Sequence, residues 1–108
     1  MKTAPRHHIK AWRLHRRLSL RRLADRMPCD AEGEPLASHA RLHRVENGLV
    51  PYDEPLLYAL ADALNCTISD LIGVDPTKDG DIIDLLRLMD EAKRKQAVDY
   101  MRFITKAG

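Results

Sequence analysis

The sequence lacks a long apolar run, a signal peptide and a disulfide framework. Its apolar stretches fall far short of the roughly 20 residues that cross a bilayer, and the first ten residues, MKTAPRHHIK, contain no apolar core. The only two cysteines, Cys29 and Cys66, lie in dissimilar settings that do not suggest a disulfide. These absences predict a cytoplasmic protein that does not associate with a membrane.

The common motifs of catalysis are missing too. There is no Gly-rich phosphate loop and no nucleophile motif, and the acidic residues are scattered instead of converging. We therefore expect neither an enzyme nor a cofactor. At 108 residues, with 44% apolar and 31% charged residues, the chain is long enough for one ordinary domain with an appendage.

Charge is distributed unevenly along the chain. Residues 1–50 hold eleven Lys and Arg against five Asp and Glu, a balance of +6, whereas residues 51–108 hold seven against eleven, a balance of −4. A basic half of this kind suits a polyanion such as nucleic acid. It is also compatible with an ordinary soluble surface.

The spacing of apolar residues predicts an all-α protein. Helices are expected over residues 7–17, 19–27, 38–46, 56–64 and 67–72, and Thr67 with Asp70 has the spacing of a capping box. Two prolines, a glycine and three acids predict an exposed loop before the third helix. Residues 74–80, VDPTKDG, have the composition of a linker.

Residues 38–48, SHARLHRVENG, form the most informative stretch. Ser38 is suited to capping a helix and Asn47-Gly48 to ending one, while Leu42 and Val45 make a single narrow apolar edge. The remaining positions present imidazole and guanidinium groups, which bind base edges or phosphates. The alternative is an amphipathic surface helix with a solvated basic face.

Residues 9–73 resemble the lambda-repressor-like helix-turn-helix domain of the Cro/C1 (XRE) family. The resemblance rests on Ile9 with Arg13, then on LSLRRLADRM, SHARLHRVENG, Pro51 and LLYALADALNCTISDLIG. It implies a five-helix DNA-binding bundle, followed here by a C-terminal helical segment. It further implies a transcriptional regulator, such as a repressor, that binds double-stranded DNA as a homodimer on a near-palindromic operator.

The resemblance also assigns roles to individual residues. Base reading falls on the helix over residues 38–46, at His39, Ala40 and Arg44, with Arg41 and His43 beside them. Leu20 stands where relatives carry a polar phosphate ligand, so Ser19, Arg21 or Arg22 is expected to replace it, together with Asn47. Arg13 and Glu46 match a structural ion pair of the family.

One departure from the family pattern is an insertion of about eight residues. The loop over residues 28–37 contains Asp30, Glu32 and Glu34, which an anionic duplex would repel, so it could contact a protein partner or a ligand instead. His39 and His43, with a residue of this loop, have a spacing that could also bind metal, but two histidines four apart are weak evidence. We expect no metal.

The C-terminal segment, residues 81–105, is expected to form a helix pair or one helix bent near Asp90. Its apolar stripe predicts dimerisation, and the alternative is a flap folded onto the first five helices. The stripe consists of Ile82, Leu85, Leu86, Met89, Val98, Met101 and Ile104. The acidic tail and loop also allow a rival function, an antitoxin or protein-interaction adaptor.

Overall fold

The computed structural model describes residues 6–107, and within them it confirms the all-α expectation. This range contains seven α-helices and no strand: α1 Ile9–His15, α2 Leu20–Asp25, α3 His39–Glu46, α4 Glu54–Ala63, α5 Ile68–Gly73, α6 Pro76–Leu88 and α7 Glu91–Ala107. The principal contacts join α2 to α3, α4 to α5, and α1 to both α5 and α6.

Polar side chains at the helix starts explain where the helices begin. Ser19, Ser38, Asp53, Thr67 and Asp75 each accept a backbone N–H from the first turn of α2, α3, α4, α5 and α6. Such caps satisfy donors that have no partner within the helix, and each contributes about 1 kcal/mol. The expected capping box at the start of α5 is confirmed.

The core lies where the first five helices meet, around Trp12. Its indole N–H donates to the carbonyl oxygens of Asp70 and Val74 at 3.0 and 3.1 Å, so the one tryptophan also fixes the end of α5. Complete burial of an indole requires such an acceptor. The other fully enclosed large side chains are Ile9, Leu23, Leu42, Leu56, Leu60, Leu64, Leu71 and Val45.

The loop over residues 28–37 forms a small hairpin. Cys29 and Pro35 form an isolated antiparallel bridge, and the Leu36 N–H donates to the Pro28 carbonyl at 2.8 Å. At its tip the Asp30 carboxylate accepts the backbone N–H groups two and four residues ahead, both at 2.9 Å. An acid that looks free in the sequence therefore stabilises the turn, because Asp readily bonds to nearby backbone in this way.

The predicted linker over residues 74–80 is mostly helical, since α6 begins at Pro76. Asp75 caps it and proline suits the first helical position. Gly80 is buried against α1: a Cβ added there would lie 2.8 Å from the His15 imidazole. Glycine at this position lets α6 approach α1 closely. The composition of residues 74–80 was misleading because the residue types that cap helices also occur in linkers.

Helix α6 is held on α1 and α5 by ion pairs. The Asp84 carboxylate accepts from Arg16 at 2.6 and 2.9 Å and bonds to the His15 ring at 2.8 Å. Arg87 pairs with Asp70 of α5. Helix α6 therefore packs against the first five helices as a sixth helix.

The C-terminal segment consists of two helices, with the break at residues 89–90. Asp90 caps the second, accepting the Lys93 N–H at 2.8 Å. In α7 every side chain described is exposed except the half-buried Ala97. The radius of gyration is 16.7 Å, against about 13 Å for a compact domain of this length, which agrees with a projecting C-terminal helix.

Candidate nucleic-acid interface

Helix α3 is attached to the body by one edge. Leu42 and Val45 are buried there, as the sequence predicted. Its end is a Schellman motif: Gly48 has a φ of +71°, its N–H donates to Val45, and the Leu49 N–H donates to Arg44. This geometry favours glycine, which has no Cβ to oppose a positive φ.

A buried ion pair secures the C-terminal end of α3. Arg13 Nε donates to Glu46 Oε2 at 2.7 Å and a second guanidinium nitrogen donates to Oε1 at 3.1 Å, while a third bond goes to the Leu18 carbonyl at 2.8 Å. The side chains are only 10% and 1% exposed. The structure thus brings together the two residues that the resemblance pairs, in the forked geometry that gives arginine its strongest contacts with carboxylates.

Four of the five expected base-reading residues have exposed side chains: His39, Ala40, His43 and Arg44. They share the part of α3 that faces away from the core. No hydrogen bond or ion pair within the described residues occupies the side chains of His39, His43 or Arg44, so their donors are available to a partner.

Arg41 lies differently from its neighbours. Its guanidinium donates to the Leu36 carbonyl at 3.1 Å and to the Asp53 carboxylate at 3.3 Å. The side chain is 33% exposed. Intramolecular bonds therefore occupy donors that the sequence interpretation left free for DNA.

The start of α2 lies against the start of α3. Arg21 and His39 line one cleft of about 460 Å³, together with Ser38 and the hairpin residues Cys29 and Pro35. Ser19 accepts the Arg22 N–H at 3.1 Å as the helix cap, and the side chains of Arg21 and Arg22 are exposed. The Arg21 guanidinium of α2 and the His39 imidazole of α3 thus share one cleft, which Asp25 of α2 also lines.

Asn47 is half-buried and partly engaged. One proton of its side-chain amide goes to the His43 carbonyl at 2.8 Å, which leaves the second for a phosphate. The Asn47 backbone N–H also donates to His43, and the next two N–H groups complete the Schellman motif. At this turn the side chain is therefore the remaining donor.

His7 is a structural contact that the sequence interpretation missed. Its ring Nε2–H donates to the Val45 carbonyl at 3.1 Å, its Nδ1 accepts the Ile9 N–H at 3.4 Å, and the ring packs edge-on against Tyr52. Burial lowers the pKa of His7, partly opposed by the Val45 contact, so the ring is neutral at pH 7. Nothing in the local sequence separates this histidine from His8.

A cleft of about 630 Å³ lies between α1, the end of α3 and the start of α6. Its lining includes His7, His8, Lys10, Leu14 and Asn47. Lys10 is the lysine of this lining, and the cleft adjoins the expected phosphate contact at Asn47.

The expected dimerisation residues differ in exposure. Ile82, Leu85, Val98, Met101 and Ile104 are exposed, whereas Leu86 and Met89 are half-buried. Leu88, Tyr100 and Phe103 are exposed at 84%, 65% and 67% and were not in the predicted stripe. Helical spacing from Tyr100 to Phe103 and Ile104 would have revealed the two aromatic residues of α7.

Two observations concern sites and membranes. Among residues 6–107, no three His, Cys, Asp or Glu side chains come together in a way that could hold a metal ion. None of the helices in this range combines the length and apolar content needed to cross a membrane.

The chain was compared with protein-family models, with curated proteins and with solved structures, and none of the three comparisons finds a significant match. The resemblance of residues 9–73 to the lambda-repressor-like family therefore depends on the motifs quoted above.

Proposed function

We propose that the chain is a sequence-specific DNA-binding transcriptional regulator of the lambda-repressor-like, Cro/C1 (XRE) type. The observation that carries this proposal is the way in which α3 is held against the rest of the protein. An apolar edge and a buried ion pair hold the helix. The side chains of His39, His43 and Arg44 remain exposed, and none of them has a partner among residues 6–107. A rigidly held helix with free donors is what major-groove reading requires.

Arg44 is the principal reading residue in this proposal. An exposed guanidinium can donate to N7 and O6 of guanine together, which is worth about 1–3 kcal/mol of discrimination. Arg21 and Arg22 at the start of α2 would bind phosphates, where the free N–H groups of a helix start add to the attraction. Ser19 and Asn47 complete this phosphate-binding set.

The two C-terminal helices would supply the dimer contact. Eight large apolar side chains of α6 and α7 are 38–84% exposed. If each is roughly half exposed with roughly 150 Å² to bury, they present about 600 Å², as much as the largest patch on an ordinary monomer. A standard interface takes about 800 Å² from each partner, so two such faces approach what a homodimer needs.

The operator is unknown, so the test begins by selecting duplexes from a random library and measuring their binding by fluorescence anisotropy. We expect enrichment of a near-palindromic sequence and an affinity that falls steeply with salt, because bound phosphates release counterions. Arg44→Ala should lose preference at one base pair of each half-site, about tenfold to a hundredfold. Arg21→Ala should weaken all duplexes alike.

Arg102→Ala is the matched control, since it removes the same charge from α7. It should leave base preference unchanged. If no sequence is enriched, or if Arg44→Ala binds with unaltered preference, the proposed function or the proposed reading face is wrong.

A second candidate is a protein-interaction adaptor or antitoxin. The exposed apolar faces of α6 and α7 favour it, as do the exposed acids Glu32 and Glu34 of the hairpin. Under this alternative, partner binding would persist in Arg44→Ala and Arg21→Ala, and no duplex would be selected.

A further inference from the structure

Among the basic side chains of α3, Arg41 alone is bonded to other parts of residues 6–107, and it contacts both segments that flank the helix. Its guanidinium donates to the Leu36 carbonyl at 3.1 Å and to Asp53 Oδ2 at 3.3 Å. The side chains of His43 and Arg44, on the same helix, have no such contact with the part of the chain that the structure describes. The planar guanidinium of arginine carries several N–H donors in fixed directions, so one side chain can bind two acceptors at once.

The two acceptors are themselves fixed points of the fold. Leu36 closes the inserted hairpin, because its N–H donates to the Pro28 carbonyl at 2.8 Å. Asp53 caps α4, accepting the Leu56 N–H at 2.9 Å through its other oxygen. Arg41 therefore ties the end of the hairpin to the start of α4.

A helix attached by one edge is free to roll about that edge unless each end is held. The Arg13–Glu46 pair holds the C-terminal end of α3. At the other end, the inserted hairpin takes the place of the tight turn that the sequence resemblance would require. Arg41 is the side chain that bridges across this end, beside the exposed His39 and Ala40.

We propose that Arg41 is a positioning residue that sets the orientation of α3, and that it affects DNA reading through His39 and Ala40 without contacting a base. This inference rests on the proposed function for its effect on DNA, but the contact itself exists without DNA. The reading set is then His39, Ala40, His43 and Arg44, and the inserted hairpin becomes a structural part of the interface.

The charges around the contact are consistent with this role. The pKa of Asp53 is lowered, chiefly by the Leu56 N–H that it caps and further by the Arg41 guanidinium, so the carboxylate is ionised at neutral pH. Asparagine at position 53 would keep an oxygen for the cap and lose the charge that faces Arg41.

The test compares Asp53→Asn, Arg41→Ala, Arg41→Lys and the double variant Arg41→Ala with Asp53→Asn. The matched control is Glu54→Gln, which removes a neighbouring exposed charge that does not contact Arg41. Amide hydrogen exchange of the free protein is measured first. We expect Asp53→Asn and Arg41→Ala each to speed exchange at the Leu36 and Arg41 amides at least severalfold. The Leu56 amide should stay protected in Asp53→Asn, and Glu54→Gln should change neither region.

The second measurement is binding to the selected duplex and to its single-base-pair variants. We expect Asp53→Asn, Arg41→Lys and Arg41→Ala to reduce preference severalfold at two or more adjacent base pairs, and the double variant to be no worse than Arg41→Ala alone. Such non-additivity is the signature of two groups acting as a unit. Lysine does not rescue, because it keeps the charge but loses the fork.

Two results would overturn the proposal. In one, Arg41→Ala loses preference at a single base pair while Asp53→Asn leaves every preference intact, which would make Arg41 a direct reader. In the other, exchange in the hairpin and at the start of α3 is unchanged in both Asp53→Asn and Arg41→Ala. If no duplex is ever selected, the proposed function fails, and the exchange measurement still decides whether the contact holds the helix.

Discussion

Replacing Glu46 by alanine should destabilise the fold without altering which bases the protein prefers. The carboxylate is 1% exposed and accepts two of the three hydrogen bonds made by the Arg13 guanidinium, at 2.7 and 3.1 Å. Without it, a charge that is 10% exposed is left with the Leu18 carbonyl alone. Stranding a buried charge in this way costs about 3–5 kcal/mol.

That cost is large against the total stability of an ordinary domain, about 5–15 kcal/mol. At about 4 °C per kcal/mol for a chain of this size, the melting temperature of Glu46→Ala should fall by about 12–20 °C. Thermal unfolding followed by circular dichroism measures the shift. Urea titration then gives the free energy of unfolding at 25 °C.

The informative control is the double variant Arg13→Met with Glu46→Leu. Apolar residues of similar volume often replace a buried ion pair with little loss, because the desolvation cost of both charges disappears. Here the Leu18 carbonyl loses its donor, so we expect a loss of about 1–2 kcal/mol, smaller than in the single variant. At a temperature where both variants are folded, base preference should match that of the unaltered chain.

Two results would refute this reasoning. If the double variant is as unstable as Glu46→Ala, the stranded charge is not the source of the loss. If Glu46→Ala changes preference at one base pair while folded, Glu46 contacts DNA and its structural role has been misassigned.

Three further predictions concern α6 and α7. Arg16 lowers the pKa of Asp84 to about 2, so Asp84 adds about 1–2 kcal/mol of stability that is present above about pH 4 and is lost as the pH falls through 2. The Asp84→Asn variant should therefore be less stable than the unaltered chain at pH 7 and should lose less stability on acidification. Urea titration at each pH measures both differences. Gly80→Ala should destabilise the fold by about 1–3 kcal/mol because its Cβ would meet the His15 imidazole of α1. The control Gly73→Ala should not, because nothing lies within 4 Å of the added carbon. Equal effects would contradict the inference that Gly80 allows α6 to approach α1 closely. Phe103→Glu, at a 67% exposed position, should shift sedimentation equilibrium from dimer to monomer with unfolding unchanged at low concentration, and an unaltered dimer would exclude this face of α7 from the interface.

Local sequence patterns predicted the helices better than the segments that join them. Capping residues and apolar spacing are local properties, so the starts of α2, α3 and α5 and the burial of Leu42 and Val45 follow from the residues themselves. The type of residue over 74–80 was ambiguous, since Asp, Pro and Gly suit both a linker and a capped helix packed closely on a neighbour.

Contacts between distant residues account for most of what was missed. His7 and Val45 are 38 positions apart, and the sequence contains no sign that their contact exists. The free or bonded state of an arginine is equally hidden: Arg41 and Arg44 look alike in the sequence, but only Arg41 has an acceptor from each flanking segment within reach.

The sequence by itself determined the all-α class, the starts of α2, α3 and α5, the apolar edge of α3 and the concentration of positive charge in the first half of the chain. Each depends on residues within a turn or two of one another, or on composition alone. Only the tertiary structure decided that α6 packs on α1 through Gly80 and Asp84, that the inserted loop is a hairpin, and which cations of α3 remain available. These outcomes depend on which side chains meet across long separations, and that is set by packing of the whole chain.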